Sequence, residues 1–195
     1  MLSLRHGKKE MLELFPTKVY LNNVVAFKEI QEELKVVADD MEWQNLWDTH
    51  LISDDSFRDN LIKQYNLTAF EAEVRSQVRD YITQWQKTDL EFDVVTSWMT
   101  KFNKGMYGVC HEHGWSDISG VYYYQTNGED GDIYFQTPVL AQTTCFWDST
   151  PNTVSFPPCP GGIILFPGWL RHGVHSNTTD HTRMSVSFNI TFKRS

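Results

Sequence analysis

Cysteine is scarce in this sequence of 195 residues, and Cys110, Cys145 and Cys159 form an odd set with no paired spacing. That argues against a disulfide framework and a structural zinc knuckle, so the three read as reduced thiols. Long apolar runs are missing as well. No segment approaches the roughly 20 apolar residues that span a bilayer, and the opening MLSLRHGKKEMLELF lacks the apolar core of a secretory signal. A cytoplasmic location without a membrane partner is the expectation. Positive charge is short too: 17 Lys and Arg stand against 25 Asp and Glu, a formal net charge of −8. Such a field does not favour a phosphate backbone, so no nucleic-acid partner is expected. Internal repeats, low-complexity tracts and long linkers are absent, which leaves a single domain over residues 1–195.

What is present is a globular balance of 41% hydrophobic, 14% aromatic and 22% charged residues. Its periodicity changes near residue 92. Before that point Phe27, Ile30, Leu34, Val37, Ala38 and Met41 recur every three or four residues, predicting a helix over 24–40. Thr68 and Glu71 have the spacing of a capping box, and Phe70, Val74, Val78, Tyr81, Ile82 and Trp85 make the stripe of a second helix reaching 86. These positions read as helix core. Between the helices, WQNLWDTHLISDD reads as a surface loop whose Trp43, Trp47 and His50 either pin it or cover the mouth of a site.

From residue 92 onward the chain reads as short strands separated by Gly, Pro, Asn and Asp: FDVVTSWMTKF, SGVYYYQT, GDIYFQTPV, GGIILFPGWL and RMSVSFNITF. TNGEDG supplies the turn residues that a hairpin between two of them requires. In the last strand Met184, Val186, Phe188 and Ile190 share one face, and Ser185, Ser187, Asn189 and Thr191 the other. The expected architecture is mainly β with N-terminal helices (α+β): a jelly roll over 92–195 supported by a helical region over 1–91.

The chemistry sits in CHEHGW. His6, His50 and His181 stand alone, whereas His111 and His113 are two residues apart and on a strand present both imidazoles to one side. Cys110 and Glu112 then point away. Imidazole suits Zn, Fe, Cu and Ni alike. In FPGWLRHGVHSN, His172 follows an apolar run from which a second wall of the sandwich could add a third imidazole. Three ligands with open positions describe a catalytic site rather than a closed structural one. Arg183 begins the last strand, and a hairpin would return it beside the metal. Its apolar setting asks for a carboxylate, either a protein Asp or Glu or a bound acid.

HxH, SGVYYY, GDIYFQTP, GGIILFPGWLRHGV and RMSVSFN, in that order, resemble the iron(II)- and 2-oxoglutarate-dependent oxygenases, in particular a small microbial and phage subgroup. The likeness covers roughly residues 95–192 in motif detail, and LFPTKVY and WDTH add to it. It implies a double-stranded β-helix holding Fe(II), with 2-oxoglutarate as cosubstrate and molecular oxygen as oxidant, releasing succinate and CO2 as an unactivated carbon is hydroxylated. It also implies His111 as first ligand, His172 as last, Arg183 on the distal carboxylate of 2-oxoglutarate, and Tyr123 assisting that arginine while Tyr122 and Tyr124 face the other side. Trp115 or Trp169 would pack nearby or wall the pocket.

The departure from that family is the second ligand, where HxD or HxE is usual and this chain has His113. Asp117, past a bend at Gly114, is the alternative. Cupins offer a rival pattern: Gly105 to His111 fits their first motif, and Gly161, Pro167 and His172 fit much of their second. Their glutamate is missing, and Arg183 has no part in it. That reading gives a metal dioxygenase or isomerase without 2-oxoglutarate, and a third is a jelly roll that binds without catalysis. The substrate, small molecule or peptidyl residue, is not specified by the sequence, nor is oligomeric state. The 142–159 segment has a lid's composition and equally that of a plain connection.

Overall fold

The computed structural model describes residues 16–53, 59–86, 90–138 and 152–193. Cys145, His6, the opening segment to Phe15 and most of the candidate lid lie outside them. The two predicted helices are α1 (Phe27–Asp40) and α3 (Thr68–Gln86), with a single turn, α2 (Leu61–Gln64), between them. Ile30, Leu34 and Val37 of α1 meet Phe70, Val74, Val78 and Ile82 of α3 in one cluster. Phe27, placed in the stripe, is instead 42% exposed, and Trp85's side chain is outside the described set.

The capping box is not what starts α3. Thr68 is already helical, and the orphan N–H groups of Ala69 and Phe70 donate to the carboxylate of Glu33 on α1 at 2.8 and 3.0 Å. Glu71 turns along the helix to Arg75. Glu73 of α3 returns the favour by accepting from the N–H groups of Val25 and Ala26 at the start of α1. Each helix therefore satisfies the other's positive end, an arrangement that local spacing cannot encode.

Among the described residues eleven strands form two sheets: β1 (Tyr20–Asn23), β2 (Gln44–Leu46), β3 (His50–Ile52), β4 (Phe92–Phe102), β5 (Gly108–His111), β6 (Ile118–Gln125), β7 (Ile133–Gln136), β8 (Thr153–Phe156), β9 (Gly162–Pro167), β10 (His172–Val174) and β11 (Arg183–Phe192). The larger has the order β1-β9-β6-β11-β4-β3-β2 and the smaller β5-β10-β7-β8. The N-terminal region is thus not purely helical, since β1, β2 and β3 extend the large sheet. WQNLWDTHLI forms the β2–β3 hairpin rather than an irregular loop, with Leu46 opposite His50.

Alternation explains the layers. Tyr122, Ile163, Leu165, Val186, Phe188 and Ile190 face the helices. Val121, Tyr123, Ile164 and Phe166, one residue out of phase, face the small sheet and meet Ile133, Phe135 and Leu170 there. This is the antiparallel jelly roll expected from the sequence.

Two expected hairpins are crossings between the sheets. TNGEDG leads from β6 in the large sheet to β7 in the small one, and the chain from β10 to β11 crosses back. Arg183 reaches the interior by that return and pairs with Phe102 of β4, not with β10. A turn signal fixes a reversal of the chain but not the sheet it enters. No helix among the described residues is long and apolar enough to cross a membrane.

Candidate metal centre

His172 opens β10 directly opposite His111, the last residue of β5. His113 lies just beyond β5 on a bend, where its N–H donates to Gly168 O at 2.7 Å and its carbonyl accepts from Ser116 N at 2.8 Å. Gly168 has to be glycine, because a Cβ there would stand 2.2 Å from Ser116 O. The result is that His111, His113 and His172 each bring a ring nitrogen to within 4.8 Å of the other two.

Hydrogen bonding selects which nitrogen is offered. His111 Nδ1 lies 2.7 Å from Val109 O and His172 Nδ1 2.9 Å from Leu170 O. A carbonyl only accepts, so both rings carry their proton on Nδ1 and present Nε2 as a lone pair. His113 Nδ1 donates to Asn189 Oδ1 at 2.8 Å, and Asn189 Nδ2 donates to Thr96 Oγ1 at 3.1 Å, which fixes the amide's orientation. Ser119 Oγ also donates to Asn189 Oδ1, at 2.8 Å. Asn189 is fully buried. It was placed on the polar face of the last strand, and its spacing of two, four and six residues from Ser187, Ser185 and Arg183 was the signal for its role. Replacing Asn189 with Ala should lower divalent-metal affinity about 10- to 100-fold with the β circular dichroism kept, as measured by competition with a chromophoric chelator.

Burial pushes His172 down to about 3 and His113 down to about 4, with His111 adding a smaller push and the hydrogen bonds to Leu170 O and Asn189 partly opposing. Both are neutral at pH 7, the form that ligates a metal. The sign for stability follows. A folded value below the ordinary 6.5 means that the unfolded chain takes up protons the fold excludes, so stability is full above pH 6.5 and falls from there toward about pH 4 for His113 and about pH 3 for His172. Urea titration of the metal-free protein should show this loss, with His172 contributing up to about 1.4 kcal/mol per pH unit, and His172→Gln should flatten it.

No Asp or Glu joins the three histidines among the described residues. Asp117 is held elsewhere: its carboxylate accepts from Phe192 N at 2.7 Å, its N–H donates to Ile190 O, and it borders a separate cleft with Tyr81 and Trp169. Glu112 is exposed at the rim. Cys110 points away, toward Gln136.

Arg183, 1% exposed, lies between the rings of Phe102 and Tyr123 at 5.1 and 5.0 Å, and donates from Nη1 to Gly131 O at 2.7 Å. That carbonyl is set by the sheet crossing. Buried Asp130 accepts from Thr126 Oγ1, Asn127 N and His181 Nδ1, and Gly131 follows with φ of 108°. Arg183 Nε and Tyr123 OH, both buried, have no hydrogen-bond partner among the described residues. Burial pushes the Tyr123 hydroxyl up to about 12 despite Arg183, so it stays a donor. Two buried donors without an acceptor cost about 1–3 kcal/mol each, which marks a place built for an acceptor. Arg183 and the three histidines line one pocket of about 340 Å³, the size of a small-molecule site. Trp115 lines it too and stacks on His113, while Trp169 does not. Trp47 and His50 close its outer side, His50 stacked on Phe102 at 4.9 Å. Tyr122 and Tyr124 face the helices.

Residues 96–189 match the model of a family described as "Putative 2OG-Fe(II) oxygenase". At the level of whole-sequence similarity no curated protein matches the chain. The fold is similar to that of HygX from Streptomyces hygroscopicus with nickel, 2-oxoglutarate and hygromycin B bound, at 12% identity over 90% of this chain and 83% of that one with a TM-score of 0.65. It is also similar to the non-heme alpha ketoglutarate dependent epimerase SnoN from nogalamycin biosynthesis (11%, 90% and 78%, 0.66). A third is the prolyl hydroxylase of Trichoplax adhaerens in complex with a peptide fragment (10%, 89% and 83%, 0.62). At such identities the likeness speaks for the fold, and the family match supports the resemblance drawn from the motifs.

Proposed function

Because residues 96–189 carry the 2OG-Fe(II) oxygenase pattern, we propose that the protein is a 2-oxoglutarate-dependent oxygenase that hydroxylates an unactivated carbon. In balance, a substrate C–H, 2-oxoglutarate and O2 become C–OH, succinate and CO2. The Nε2 atoms of His111, His113 and His172 would hold Fe(II), leaving positions open as a catalytic site needs. Bound there with its cosubstrate and oxygen, the iron supplies the oxidising power that side chains lack.

The protein's part is placement. Arg183 and Tyr123 would receive the distal carboxylate of 2-oxoglutarate, giving partners to the two buried donors that have none. Arg183, orphaned at Nε and lining the same pocket as the histidines with Tyr123 packed on its guanidinium, is the observation that carries the proposal. Asn189, Val109 and Leu170 accept from the three Nδ1 atoms and so turn each Nε2 toward the metal position. Trp98 and Phe102 keep the inner wall apolar, which excludes water from the reacting centre. With SnoN an epimerase and the Trichoplax protein a hydroxylase, the shared fold carries more than one outcome. Hydroxylation is the outcome we favour, on the resemblance of the motifs.

The all-imidazole set also suits the cupin reading, but Arg183 and Tyr123 then stay unsatisfied. The anaerobic Fe(II) protein should develop a visible charge-transfer band on adding 2-oxoglutarate. Its absence in a protein that binds the metal would end the proposal.

A further inference from the structure

The pocket's rim carries large rings that folding leaves unburied. Trp47 is 70% exposed and Trp115 57%, and both line the pocket. Trp47 sits at the tip of the β2–β3 hairpin with φ of 51°, followed by Asp48 at 55°. A bulky residue adopts this left-handed conformation only under constraint, and such strain gathers at functional sites. The constraint is visible. Asn45 Nδ2 donates to Asp48 Oδ1 at 2.8 Å, and Thr49 N and Oγ1 both donate to Leu46 O. Tyr107 N donates to Thr49 O at 3.0 Å and so ties the tip to the β4–β5 connection. The fold thus holds an indole in strained backbone at the mouth and gains no burial by it. Trp115 runs nearly parallel to His113, with 11° between the planes.

The remaining wall limits what such rings could meet. Apart from the histidines, the charged residues lining the pocket are Arg183, whose donors the cosubstrate would occupy, and Glu112 at the rim. Among the described residues a phosphate or sulfonate would find no spare cation there. Sugar hydroxyls fare little better. Ser119 and Asn189 are engaged around His113, and Thr100 bonds Ser185, which leaves Ser187 among the described residues there.

We infer that the substrate is a small molecule bearing an uncharged aromatic ring, which stacks on Trp47 and Trp115 beside the histidine cluster. The inference rests on the reading of that cluster as the metal centre. Stacked and edge-on aromatic contacts of this kind bring affinity without charge.

The test is calorimetric titration of the Ni(II)- and 2-oxoglutarate-loaded protein with 2-naphthol, naphthalene-2-sulfonate and methyl β-glucoside. Saturable binding of 2-naphthol is expected, weakened about tenfold by Trp47→Gly and by Trp115→Ala, with the sulfonate weaker than 2-naphthol. Trp47→Gly should melt at or above the wild-type temperature, because glycine adopts positive φ freely. Absence of 2-naphthol binding, or binding that neither variant alters, overturns the inference. Tighter binding of the glucoside through the same tryptophans overturns it in favour of a sugar. Ni(II) and 2-oxoglutarate affinities from the same samples separate the two claims: if they hold and 2-naphthol fails, only the ring assignment falls. If they fail and 2-naphthol binds, the oxygenase reading falls and the ring site stands.

Discussion

Arg183→Met is expected to weaken 2-oxoglutarate binding by about 2–5 kcal/mol, roughly 30- to several-thousand-fold, with metal affinity nearly unchanged. The guanidinium is buried, and its Nε faces no acceptor among the described residues. Without it the distal carboxylate would keep only the Tyr123 hydroxyl, a single neutral donor where a charged fork had stood. Methionine retains most of the length that packs between Phe102 and Tyr123. The ligand-free variant should therefore melt no lower than wild type, since it loses a buried cation that lacked a full set of partners. The rise in melting temperature that 2-oxoglutarate gives the wild type should vanish. Calorimetry on the Ni(II) form with parallel thermal scans reads both. Unchanged affinity would remove Arg183 from the cosubstrate site. Lysine should not restore binding, because a point charge cannot reproduce the fork.

His172→Ala should remove metal binding more severely than the roughly 10- to 100-fold cost of losing an outer partner such as Asn189. His172 is the most buried of the three imidazoles, at 7% exposure, and its removal would leave two imidazoles to hold the ion. Asp117→Ala should leave metal affinity as it was and instead cost stability, because Phe192 N would lose its acceptor. Isothermal titration with Co(II) or Ni(II) compares the two directly. Loss of metal in Asp117→Ala with retention in His113→Ala would reverse the assignment of the second ligand.

Much of this was legible in the sequence wherever burial alternates. Strand β11 has a clean period because one face meets the helices and the other lines the pocket. The histidine pair, His172 and Arg183 could be singled out because ionisable groups inside apolar strands are costly without a purpose. What could not be read was long-range. Glu33 and Glu73 cap each other's helices across some forty residues, whereas Thr68 and Glu71 had the right spacing and no part in it. Turn residues at 126–131 announced a reversal, but only the paired strands show that it changes sheets. Asn189 is legible only as a member of the polar face it shares with Ser185 and Ser187 and with Arg183, since an amide in a strand does not name the imidazole it supports. Trp47 and His50 could be read either as pinning a loop or as covering the mouth of a site, and only the β2–β3 pairing, which is not local, brings them to the pocket.

The pairing of His172 with His111 has a mechanical side. Strand β5 is one of the two edge strands of the small sheet, and edge strands are the first to fray because one row of their amides has no neighbour. His111 and His172, joined through one shared ion, would rivet that strand to β10 and close the seam of the roll at its open end. Amide exchange at Val109, Cys110 and His111 should then slow on loading with Ni(II), while that of β6 and β11 in the interior changes little. With the ion held as proposed, the grip on the metal and the integrity of this edge would rise and fall together.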